Sequence, residues 1–300
     1  MTDPGFVLAT RRSALALAQS RRMARALEAA VPGLAVQELH VVTEGDRVQD
    51  RPLAAIGGKG LFVKEIEEAL LDGRARLAVH SMKDLPVSLA PGLVIAATPR
   101  RASPWDLLVT RDGRALGALS DGATVGTSSQ RRALQLRAVR PDLNITLLRG
   151  NVDTRLRKLE EGQYDAIVLA EAGLERLGLA PPGVRLEGVL TPSVAQGVLA
   201  LECRADDADA CAWVGRLDDP QTRLEVSAER AVMAALGASC TVPMGAYARR
   251  VGDALRVEGF YARDDGSASV RAELEGPARS LEDARALGER LAATLAARLG

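Results

Sequence analysis

The feature that most narrows the fold is a unit that repeats through the first 200 residues. A short β-branched run gives way to a polar or glycine-bearing turn, and a helical pattern then leads to the next run. Phe6–Ala9 reads as a strand, and Ser13 caps a helix to about Ala30 that Pro32-Gly33 stops. Val36–Val42 predicts a second strand. A polar, glycine-rich loop from Thr43 to Gly60 precedes a helix from Leu61 to Leu71, whose Phe62, Ile66, Ala69 and Leu70 share one face. Leu77–His80 is a short buried strand that runs into Ser81-Met-Lys-Asp-Leu-Pro86. The order then returns with strand Thr124–Gly126, cap Thr127-Ser-Ser129, helix Gln130–Val139 and strand Ile145–Leu148. Turn Gly150-Asn151, helix Val152–Glu160 and strand Asp165–Ala170 complete it. Asp72-Gly-Arg-Ala-Arg-Leu-Ala-Val-His80 matches Glu161-Gly-Gln-Tyr-Asp-Ala-Ile-Val-Leu169 in kind: helix end, glycine, buried strand.

This alternation is the signature of parallel βαβ units in an α/β fold. It predicts two similar doubly wound domains with a join near Thr98–Pro104 and a return near Thr191–Gln196. Two joins imply a hinge and a cleft, the architecture of a ligand trap. After about Pro220 the pattern changes to a helical stretch, Thr222–Leu236, and three alternating runs, Val242–Arg250, Ala254–Tyr261 and Ser269–Leu274. A closing helix spans Leu281–Leu299. The expected division is residues 1–98 with 196–216, residues 103–192, and a small α+β domain over 220–300.

Composition removes several functions. The 39 basic and 39 acidic residues cancel, and aromatics make up 3% of the chain, which argues against nucleic acid as a partner. No run approaches the ~20 apolar residues of a membrane span. The N-terminus lacks the pattern of a secretory signal, and Cys203, Cys211 and Cys240 form no CxxC pair, so a reducing cytoplasm is expected. With only His40 and His80, a multi-histidine metal site is excluded and no metal is expected. Gly57-Gly-Lys-Gly60 is similar to a phosphate loop, but Leu53 sits where its first glycine belongs. Gly126-Thr-Ser-Ser-Gln130 fails the nucleophile elbow at its last position.

What remains is an arginine pattern. Arg11 and Arg12 follow the first strand, Arg131 and Arg132 open a helix after another, and Arg149 ends a third. Arg155 lies in the first turns of the next helix and Arg176 follows a fifth strand. In a doubly wound sheet the carboxyl ends of strands line one crevice. Helix N-termini near Ser13, Ser128 and Asn151 add free N–H groups there. Guanidinium forks suit planar carboxylates, so the set fits a ligand with several of them, against the plain alternative of solvated faces with local ion pairs. Lys83 and Asp84 share the loop after Leu77–His80. Asp84 either caps a turn and pairs with Lys83 or is the one acid in a cationic cleft, placed to stabilise a developing cation. His80, with apolar neighbours, reads as a core residue. Cys203 and Cys211 read as small buried hydrophobes. Cys240, in Gly237-Ala-Ser-Cys-Thr-Val-Pro-Met-Gly245, is either another or a nucleophile and attachment point.

Six strings stand out together: Gly57-Gly-Lys-Gly-Leu-Phe-Val-Lys-Glu-Ile-Glu67, His80-Ser-Met-Lys-Asp-Leu-Pro86, Gly126-Thr-Ser-Ser-Gln-Arg-Arg132, Arg149-Gly-Asn-Val-Asp-Thr-Arg155, Ala172-Gly-Leu-Glu-Arg-Leu-Gly178 and the Cys240 loop. In this order they resemble the hydroxymethylbilane synthase (porphobilinogen deaminase) family. The resemblance covers about residues 6–250. It implies two periplasmic-binding-protein-like domains and a third, and the head-to-tail condensation of four porphobilinogen molecules with loss of ammonia. It also implies a dipyrromethane cofactor joined through a thioether on Cys240. Carried over, Asp84 is the catalytic acid at the pyrrole N–H groups. Lys83, Ser129, Arg131, Arg132 and Arg155 hold acetate and propionate groups, as do Arg11, Ser13, Arg149 and Arg176, and Lys59 lies in a loop over the site. Ser81, Thr127, Ser128, Gly150, Asn151 and Gln196 complete the expected binding positions, in a cytoplasmic monomer.

Three places depart from the family pattern. Trp105 stands where arginine is usual, Ala195 where glycine is usual, and Ala238-Ser239 replaces Gly-Gly. Two rival functions remain compatible with these residues. A non-catalytic binding module has no use for Cys240, and a nucleic-acid binder would show retention that falls steeply with salt.

Overall fold

The structure is a computed structural model that describes residues 5–43, 63–237 and 242–300. Strands β1 (Phe6–Arg11), β2 (Val36–Val41), β3 (Leu77–Ser81) and β4 (Leu93–Ala97) come first. They are followed by β5 (Asp106–Thr110), β6 (Thr124–Gly126), β7 (Asn144–Thr146), β8 (Ala166–Ala170) and β9 (Gly183–Arg185). The last are β10 (Leu199–Arg204), β11 (Met244–Val251), β12 (Ala254–Ala262) and β13 (Ser269–Pro277). The helices are α1 (Ala14–Ala30), α2 (Lys64–Leu71), α3 (Gln130–Val139) and α4 (Val152–Glu160), then α5 (Glu171–Leu177), α6 (Ala208–Gly215), α7 (Pro220–Ala235) and α8 (Leu281–Leu299).

Residues 1–101 with 198–223 form one compact unit, and residues 102–197 with 224–300 form the other. In the first unit the sheet order is β2-β1-β3-β10-β4. Period-two side chains send Phe6 and Leu8 to one face and Ala9 to the other. The first face packs Met23 and Leu27 of α1 and Ala210 and Val214 of α6. The second packs Ile66, Ala69 and Leu70 of α2. Both faces are therefore covered, and β3 is buried from Leu77 to His80.

The second unit repeats this order as β7-β6-β8-β5-β9. Leu136 of α3 joins Val125, Val168 and Leu108 on one face, while Leu159 of α4 and Leu174 of α5 meet Ile167 and Val109 on the other. The remaining sheet, β11-β12-β13, is an antiparallel meander. Leu291 and Leu295 of α8 close on it so tightly at Gly259 that a Cβ there would come within 2.7 Å of Leu295. Ser280 and Asp283 form a reciprocal cap at the start of α8, fixing the closing helix where periodicity placed it.

One expectation changes. The two five-stranded sheets are α/β but mixed: β10 runs antiparallel to β3 and β4, and β5 antiparallel to β8 and β9. They are the first strands after the crossings at 101/102 and 197/198. Helix α2 is described from Lys64; the expected residues Leu61 and Phe62 lie outside the described residues.

Candidate active site and family

In the first unit the strand ends carry the expected groups. Arg11 ends β1, and Ser13 caps α1 by accepting from the Ala16 amide at 3.3 Å. Gln19 Nε2 donates to Ser81 Oγ at 2.9 Å, tying α1 to the end of β3. The turn Met82–Asp84 follows at once. Met82 and Leu85, 2% and 0% exposed, anchor both sides of it, the Met82 amide donating to Val198 O at 3.0 Å. Lys83 is left half-buried and Asp84 exposed, so the acid is presented on a fixed support. His80 is buried, with Nε2 2.9 Å from Glu202 Oε2, in agreement with a core role.

In the second unit the arginines divide into two kinds. Arg131 and Arg132 are buried around Asp106, which is buried too. Arg131 Nη2 reaches Asp106 Oδ2 at 2.8 Å, and Arg132 Nη2 and Nε reach Oδ1 at 2.7 and 3.1 Å. Arg131 Nη1 also donates to Thr191 O at 2.6 Å and Arg132 Nη1 to Val168 O at 2.9 Å. Burial alone would raise the Asp106 carboxyl; the two guanidinium charges override it and hold it well below the usual range. Burial lowers Arg131 from its ordinary value.

Arg155 is different. Its Nε donates to Gly150 O at 2.8 Å. Burial, and then the positive charges of Arg132 and Arg149, bring it down to about 10. A cation so depressed stands in a field that a bound anion would relieve. Thr127 Oγ1 accepts from the Ser129 amide at 3.1 Å, and Ser129 Oγ caps α3 at the Arg132 amide, 3.4 Å. Asn151 Oδ1 caps α4 at the Thr154 amide, 3.0 Å, after Gly150 at φ +114°. Ser128 is exposed, and Arg149, on the loop before α4, is half-buried. Arg176 Nη2 donates to Gly197 O at 2.6 Å, and Gln196 is 1% exposed with Nε2 on Pro104 O and Asp106 Oδ1 at 2.8 and 2.9 Å. Lys59 and Cys240 lie outside the described residues.

Asp106 is the residue that sequence reasoning missed. The one available signal was an acid heading the otherwise apolar strand Asp106–Thr110. Cys203 is fully buried and its thiol is pushed up by that burial, while Cys211, half-buried, gives its Sγ to Arg204 O at 3.3 Å. The departures also resolve. Trp105 packs edge-on against Tyr247 with ring centroids 5.1 Å apart. Ala195 adopts φ +57°, the left-handed conformation glycine takes without strain, and its amide donates to Glu229 Oε2 at 2.6 Å. Ala238 and Ser239 lie outside the described residues. Among the described residues no cluster of His, Cys, Asp and Glu could hold a metal ion, and no helix is long and apolar enough to cross a membrane.

Two family descriptions match the chain: "Porphobilinogen deaminase, dipyromethane cofactor binding domain" over residues 6–212 and "Porphobilinogen deaminase, C-terminal domain" over residues 223–297. A porphobilinogen deaminase of Sorangium cellulosum is 55% identical over 98% of this chain and 98% of its own. Another, of a Roseiflexus species, is 55% identical over 87% of each chain. Among solved structures, the periplasmic aliphatic sulphonate binding protein of Escherichia coli aligns at 15% identity over 78% of this chain and 70% of that one, with a TM-score of 0.38. With relatives this similar along its length, the chain belongs to the porphobilinogen deaminase family, whose transferase activity condenses porphobilinogen into hydroxymethylbilane.

Proposed function

We propose that this chain joins four porphobilinogen molecules head to tail, with one ammonia released at each addition, starting from a dipyrromethane held by a thioether to Cys240. The observation that carries the reading is Arg155, a half-buried guanidinium bonded to Gly150 O and lowered to about 10 beside Arg132 and Arg149. Arg132 and Arg149 both raise the positive field at Arg155, and Arg131 lies beside Arg132, so the donor set fits a ligand rich in carboxylates. Each pyrrole unit brings an acetate and a propionate, and the cofactor has the same side arms, so the residues present fit it. When bound, that cofactor supplies a tethered pyrrole end for the growing chain.

The chain's own residues divide the work. Arg149 and Arg155 donate to carboxylates directly. Arg131 and Arg132 keep the region positive, because Asp106 neutralises only one of their two charges. Arg11, Ser13, Lys83, Ser129 and Arg176 serve further acid side arms, as do Ser81, Thr127, Ser128, Gly150 and Asn151, with Lys59 a further cationic partner. Asp84, exposed on its braced turn, faces the pyrrole N–H and stabilises the cation left when ammonia departs. In this reading the parts 1–98 with 196–216, 103–192 and 220–300 act as three domains of a cytoplasmic monomer, with neither nucleic acid nor membrane as partner.

The test is stoichiometry. Purified protein given porphobilinogen should release one ammonia per molecule consumed and yield one linear tetrapyrrole per four. Substrate binding without ammonia release would favour the non-catalytic binding module instead.

A further inference from the structure

We propose that Gln196 is a positioning residue for Asp84, acting through the return crossing Gln196-Gly197-Val198 rather than through contact with ligand. The return crossing is held on both sides. Gln196 gives Nε2 to Pro104 O and Asp106 Oδ1, so its side chain is fastened to the buried acid between Arg131 and Arg132. Gly197 follows at φ +88°, and a Cβ there would lie 2.6 Å from both Ala102 O and Ser103 O. Its carbonyl takes two donors, Arg176 Nη2 at 2.6 Å and the Ala102 amide at 3.1 Å. Val198, 1% exposed, accepts the Met82 amide at 3.0 Å, and Leu199 pairs with Ser81.

The bond from Met82 to Val198 is the last rung between β3 and β10, and it sits at the base of the turn Met82–Asp84. Gln196 and Val198 are two peptide units apart, at most about 7 Å. With Gly197 packed against backbone on one side and tied through its carbonyl on the other, a shift at Gln196 is passed along the chain. The rung at Met82 then loosens and Asp84 loses its support.

Hydrogen exchange on the cofactor-loaded enzyme without substrate tests this directly, and Gln196→Met removes the donors while keeping side-chain length. The Met82 amide should exchange at least about tenfold faster, while the Arg76 amide, bonded to Val7 O at the other end of β3, keeps its protection. The kinetic arm rests on the proposed function: kcat should fall about tenfold with KM for porphobilinogen changed less than about twofold. Unchanged exchange at Met82, or equal acceleration at Met82 and Arg76, would overturn the proposal. Should Gln196→Met fail to fold, Gln196→Glu, which also lacks the amide donors, is read in the same two ways. The exchange result stands whether or not the wild type turns over porphobilinogen, so the two readings fail separately.

Discussion

The two five-stranded sheets share one strand order yet carry different chemistry at matching places. In each, a strand supplied by a chain crossing is inserted antiparallel next to the third parallel strand. In the first sheet that strand opens with Leu199 opposite Ser81; in the second it opens with Asp106 opposite Ala170. Where the opening residue is apolar, the neighbouring turn is pinned by Met82 and Leu85 and ends in an exposed acid. Where it is a buried carboxylate, two arginines are drawn inward to it. Topology sets where loops converge, and one residue at the head of the inserted strand sets which charge is held inside and which is left outside.

The sharpest way to break the comparison is to remove the exposed acid. Asp84→Ala should lower turnover by about a thousandfold or more while moving stability by less than about 0.5 kcal/mol, because its side chain is exposed. Turnover assays paired with urea unfolding check both halves; an active variant would remove Asp84 from the chemistry. Making the second sheet resemble the first is next in size. Asp106→Leu leaves Arg131 and Arg132 buried without a counter-charge and should destabilise the fold by about 3–5 kcal/mol in denaturant titration. An unchanged midpoint would show that the arginines reach water readily.

Arg155 tests the same idea with opposite sign. Its folded-state pKa is lowered to about 10, so folding is opposed while the group is charged in both states. Stability rises with pH from about 10 up to the ordinary arginine range, where the unfolded chain binds more protons. Arg155→Met removes that opposition, so at neutral pH the cofactor-free protein should melt about 2 °C higher. The KM for porphobilinogen should rise about tenfold in the loaded enzyme, as a direct carboxylate contact is lost. A lower melting temperature would mean that Arg155 is a structural tie and not a ligand site. The smallest effect belongs to Ala195. Glycine there relieves the left-handed strain but gains freedom when unfolded, so Ala195→Gly should stabilise by less than about 1 kcal/mol, measured by urea unfolding.

Much of this was readable from residues alone where local pattern decides structure. The closing helix Leu281–Leu299 has both a cap at Ser280 and apolar periodicity, and β1, β3 and β8 are apolar runs set off by glycine turns. The inserted strands were not legible. Leu199–Arg204 and Asp106–Thr110 are buried on both faces, so they show no alternation, and strand direction is set by the path of the chain and not by any local string. The site divides the same way. Arginines at strand ends were visible, but Arg131 and Arg132 meet Asp106 across 25 and 26 residues, a pairing that only the sheet creates. Gln196 was legible as a position at the site, but its bonds to Asp106 and Pro104 come from the fold and not from any local string.

The central claim is that Cys240 carries a pyrrole primer whose carboxylates the arginines hold. Intact mass of the purified protein tests it most directly. The wild type should weigh more than its 300-residue chain by two pyrrole units, and Cys240→Ser should fold and weigh what its own sequence gives. An unmodified wild-type mass, or the same excess on Cys240→Ser, would contradict the account.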